Sequence, residues 1–89
     1  MGYESIKNYY ETLVAFELQA QLSTKEKSED FDYIEDVACV ALNKLPPRYV
    51  RHHVDLVYYL TDEEKMKMEN AVRTAVNEAL TFVTKHRQR

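Results

Sequence analysis

DVACVALNKLPPRYV, Asp36 to Val50, decides how this chain folds. Val37, Ala38, Ala41, Leu42 and Leu45 recur at spacings of three and four, which places them on one face of a helix. Pro46 and Pro47 then stop it, because proline donates no amide hydrogen and disfavours helical geometry in the residue before it. Asn43, in the last turn, has a side chain able to bond a freed backbone group. Extended backwards, this helix starts near Asp32, adds Ile34 to its buried face, and ends near Lys44. Asp32 with Glu35 three residues later has the form of a capping box.

On either side of that stretch the chain also reads as helical. From Tyr3 to Leu22, residues Ile6, Tyr9, Leu13, Phe16 and Ala20 make one stripe, widened by Tyr10 and Val14. The segment Ser23 to Asp30 has no apolar residue and reads as a solvated loop. In the last helix, Thr61 and Glu64 form a capping box. Asp62, Glu63 and Glu64 lie at the positive end of its dipole, and Lys85, His86, Arg87 and Arg89 at the negative end. Its core stripe is Met68, Val72, Ala75, Ala79, Phe82 and Val83, and Ala71, Ala75 and Ala79 let another helix approach closely. Val54 to Leu60 alternates β-branched and aromatic residues. It reads as a short extended connector, able to pair with its copy in a dimer, or as a helical turn. The expected fold is all-α, three main helices and a connector in one domain over residues 1–89, with frayed ends at 1–2 and 86–89.

Composition narrows the function. The chain has 89 residues, 45% of them hydrophobic, and a net charge of −3. A chain this short buries only about 60–65% of its unfolded surface, so self-association would help it. The acidic balance argues against duplex nucleic acid. No run is apolar enough to span a bilayer, so no membrane role is expected and the location reads as cytoplasmic. Cys39 is the single cysteine. It has no evident basic neighbour to activate it. With no glycine-rich phosphate loop, no H-E-x-x-H and no serine nucleophile motif, the chain reads as a non-enzyme.

Directly after the prolines, Arg48, Arg51, His52 and His53 form the dense positive cluster of the chain interior, with Tyr49 and Asp55 beside them. Arginine's planar fork pairs a phosphate or a guanine edge, and its face stacks on a base. Adjacent histidines point in different directions, and His53 with Asp55 supplies too few ligands for a metal unless a second chain contributes. No metal and no cofactor is expected. Seven tyrosines bridge core and water or line interfaces, and interface is the expected place of Tyr9, Tyr10, Tyr58 and Tyr59. The basic tail Lys85 to Arg89 reads as the solvated end of a helix.

Asp36, Val37, Ala41, Leu42, Asn43, Leu45, Pro46, Pro47, Arg48 and Tyr49 together carry a D-V, A-L-N, L-P-P-R-Y pattern that resembles the late-competence ComFB family. The resemblance implies a small helical homodimer associated with bacterial competence, motility and surface behaviour. Some members are associated with binding cyclic dinucleotide messengers such as cyclic di-GMP. Some carry a cysteine cluster before the D-V helix, but Ser28 to Tyr33 has none here, so a zinc site is not carried over. On this reading the protein binds a cyclic dinucleotide and signals through a partner protein. Arg48 and Arg51 hold phosphate or guanine, Tyr49 and His52 stack or hydrogen-bond, and His53 and Asp55 complete the polar wall. The alternative is a structural or protein-interaction dimer of the competence or motility machinery. There Arg48 pairs Asp36 or Glu35, and Tyr49 caps the core.

Overall fold

The computed structural model describes residues 5–22 and 31–87, except for the side chains of His53, Asp55, Val57 and Arg87. In chain order the elements are strand β1 (Lys7–Asn8), helix α1 (Tyr9–Leu22), helix α2 (Phe31–Asn43), strand β2 (Tyr49–Val50), helix α3 (His53–Tyr59) and helix α4 (Asp62–Arg87). The protein is mostly helical, as expected, with a small antiparallel strand pair added. The expected loop, Ser23 to Asp30, lies outside the described residues.

α4 is the spine. Its 26 residues span roughly 39 Å at helical rise, and both α1 and α2 pack against it. Val72, Ala75, Val76, Ala79 and Val83 of α4 meet Val37 and Ala41 of α2 and Tyr10, Val14 and Leu18 of α1. Valine and alanine dominate this core; of the expected alanine row on α4, Ala75 and Ala79 lie in it and Ala71 is half-buried. No polar or charged side chain is buried among the described residues. Tyr33 Oη and Thr84 Oγ1, 2.7 Å apart, tie the start of α2 to the end of α4.

The structure corrects several expectations. The buried face of α1 is Tyr10, Val14 and Leu18, while Phe16 is 65% exposed and Ile6 and Ala20 are also exposed. α1 is apolar on neighbouring faces, so periodicity alone could not choose between them. Tyr10, expected to widen the α1 stripe and also at an interface, is a core residue, and Val14 of the widened stripe is buried beside it. On α4, Val76 is fully buried, whereas Phe82 is exposed and stacks on His86 with ring centroids 4.0 Å apart. α2 starts at Phe31, which places Asp32 inside its first turn rather than at its cap. Helical backbone continues through His86 to Arg87, and the tail residues 88–89 lie outside the described residues.

The start of α1 differs as well. Tyr3 lies outside the described residues, and the helix begins only at Tyr9. Asn8 is the reason. Its Oδ1 accepts the Tyr10 N–H at 3.2 Å, which is how an N-cap asparagine ends the non-helical stretch.

Candidate functional site

Three kinds of backbone restraint fix the segment after α2. Asn43 Nδ2 donates to the Cys39 carbonyl at 2.9 Å, the use expected of that side chain. Lys44 N–H and Leu45 N–H reach back to Ala41 and Leu42, tightening the helix end before the prolines. Tyr49 and Val50 then pair antiparallel with Asn8 and Lys7. Arg48 is clamped on both sides: its N–H donates to Asn8 Oδ1 at 3.0 Å, and its carbonyl accepts the Tyr9 N–H at 2.7 Å. The extended residues are therefore 49–50, with a partner inside the same chain. The connector 54–60, expected as a strand or a helical turn, is the turn. A short helix satisfies its own backbone where a lone strand has no neighbour: Leu56 N–H bonds to the His52 carbonyl at 3.4 Å and Leu60 N–H to the Leu56 carbonyl at 3.0 Å.

This geometry opens a groove of about 320 Å³ lined by Arg48, Val50, Arg51, His52, Leu56 and Tyr59. Arg48, Arg51 and His52, three of the six residues expected at the site, share it. All three are exposed, and none makes a side-chain hydrogen bond or ion pair among the described residues. His52 caps α3 through its extended backbone, without its ring. Tyr49 does not line the groove. Successive strand residues point to opposite faces, and Val50 faces the groove. The side chains of His53 and Asp55 lie outside the described set.

The aromatic that lines the groove is Tyr59, 79% exposed and held edge-on by Tyr58 with centroids 5.8 Å apart. Sequence reasoning placed it at an interface. Its distance along the chain from the prolines hid it, and helical geometry in α3 is what brings it back beside Leu56. Asn8, some forty residues upstream, was also missed. The signal was present: Asn8 with Glu11 three residues later is a capping pattern like that of Thr61 and Glu64.

Behind Arg48 lies a second groove of about 350 Å³, whose lining includes Pro46, Pro47, Leu60, Glu64 and Lys67. The expected capping box forms there in full: Thr61 N–H donates to Glu64 Oε1 at 3.0 Å, and Glu64 N–H to Thr61 Oγ1 at 3.1 Å. Hydrogen bonds from the Thr61 backbone and side chain hold the Glu64 carboxyl below its ordinary range, with further lowering by the Arg48 and Lys67 charges. No ion pair joins Arg48 to Asp36, Glu35 or Glu64 among the described residues. Tyr49, 66% exposed, does not cap the core.

Among the described residues no three His, Cys, Asp or Glu side chains group as a metal site, and no helix is long and apolar enough to cross a membrane. No curated protein matches the sequence. Residues 7–87 match the family model described as late competence development protein ComFB, a span that takes in every described element and both grooves. With that match covering nearly the whole chain, the protein belongs to the ComFB family.

Proposed function

We propose that the protein is a non-catalytic bacterial regulator that binds a cyclic dinucleotide, cyclic di-GMP first, in the groove beside the double proline. The observation that carries this reading is the meeting of Arg48, Arg51 and His52 with the open face of Tyr59 in one groove, the three basic side chains without partners among the described residues. Guanidinium forks suit phosphates and guanine edges, and an aromatic face suits a purine. A groove of about 320 Å³ suits one lobe of such a ligand. The second lobe is matched by the same groove on a second copy, as a two-fold ligand suits a two-fold dimer. The bound state is passed to a partner protein in the cytoplasm.

Titration of the purified protein with cyclic di-GMP tests this. Ligand at 100 times its dissociation constant adds about 2.7 kcal/mol of stability, read as a higher Tm. The calorimetric signal disappears in Arg51→Ala while the circular dichroism spectrum is unchanged. A melting curve that saturating ligand leaves unmoved sinks the reading. The exposure of Val54, Tyr58 and Tyr59 favours a second reading, a surface for another protein, which that negative result would leave standing.

A further inference from the structure

Arg48 and Val50 both line the groove beside the double proline, and Tyr49 between them does not. That alternation sets which face of the short ribbon looks into the groove. In an antiparallel pair, residues directly opposite each other carry their side chains on the same face, with Cβ atoms about 5 Å apart. The register sets Lys7 opposite Val50, so Lys7 stands on the groove face. Its neighbour Asn8, opposite Tyr49, spends its side chain on the backbone N–H groups of Arg48 and Tyr10. Lys7 is exposed and makes no side-chain hydrogen bond or ion pair among the described residues.

We infer that Lys7 is a further ligand-binding residue of this groove, its ammonium taking a phosphate of the bound nucleotide at the rim beside Arg48 and Arg51. The inference rests on the binding reading above and adds to it a residue from the start of the chain. A flexible four-carbon stem is longer than the roughly 5 Å between paired strands, so the ammonium reaches over Val50 to the groove mouth. Lysine binds phosphate as a point charge and asks for no fixed geometry, which suits an open rim, whereas the planar arginine forks suit the groove itself. The ribbon thus gathers Lys7, Arg48 and Arg51 at one place in a chain whose net charge is −3. No carboxylate lines the groove to neutralise them.

Lys7→Gln isolates the effect, because the ribbon is joined through backbone groups and only the charge is lost. Lys85→Gln is the control: Lys85 is exposed near the far end of α4, so it reports the change in net charge alone. Calorimetric titration with cyclic di-GMP is expected to show about two- to fivefold weaker binding in Lys7→Gln, the scale of an exposed ion pair, at an unchanged Tm. Binding by Lys85→Gln should stay close to that of the unaltered protein, and Lys7→Arg, which keeps the charge, should restore affinity. Added salt should narrow the gap between Lys7→Gln and the unaltered protein, since an exposed pair is screened. Equal affinities in Lys7→Gln and Lys85→Gln, or a loss that Lys7→Arg does not restore, overturn the inference while leaving the binding reading intact. Absence of binding by the unaltered protein overturns both.

Discussion

The bundle of α1, α2 and α4 and the segment from Lys44 to Leu60 are built on opposite principles. The bundle encloses mainly valines and alanines, with no polar or charged residue other than tyrosine buried among those described. The segment contributes one buried side chain among those described, Leu56, and is held by backbone hydrogen bonds to Asn8, Tyr9 and the end of α2. The bundle sets stability through packing, while the segment displays arginines, a histidine and tyrosines that packing does not need. Stability and binding should therefore respond to different substitutions.

The strongest way to break that contrast is in the bundle. Val76→Asp leaves an unpaired carboxylate at a fully buried position and should cost at least about 3 kcal/mol, seen as loss of the urea transition. Ala79→Leu overfills a buried contact and should cost about 1–3 kcal/mol in the same measurement. Asn8→Ala sits at the junction of the two regions. It removes the α1 cap and one clamp on Arg48, so urea unfolding should show a loss of about 1 kcal/mol together with weaker cyclic di-GMP binding. If stability falls and binding does not, the junction is structural only.

The smallest expected effect is a pH dependence. Glu64 has its carboxyl lowered below the ordinary value of 4.5, so its folded state is favoured when ionised. That stability is present above the ordinary carboxylate range and is lost as pH falls through the lowered value. Tm measured downward from pH 6 should drop less in Glu64→Gln than in the unaltered protein. Parallel curves would show that Glu64 adds no pH-dependent stability.

The same contrast explains what the sequence made legible. α2 and the cap of α4 could be read because their signals are local: a face repeating at three and four, a proline stop, and Thr61 answered by Glu64. On α1 the expected stripe holds the buried Tyr10 and Val14 but also the exposed Ile6, Phe16 and Ala20, and it omits the buried Leu18, because apolar residues lie on neighbouring faces and only the packing helices decide between them. In the site, Arg48, Arg51 and His52 are close in sequence and so were visible as a cluster. Tyr59 and Asn8 join it only through the turn of α3 and the pairing of residues 7–8 with 49–50, and long-range pairing leaves little trace in composition.

The ribbon that carries this pairing is two residues long, so it works by parity. Exchanging Tyr49 and Val50, or inserting a single residue between Pro47 and Arg48, would turn the phenol inward and the isopropyl group outward without altering any helix. A change that leaves the protein's mass, charge and hydropathy almost untouched would thereby refurnish the wall of the groove that Val50 now lines.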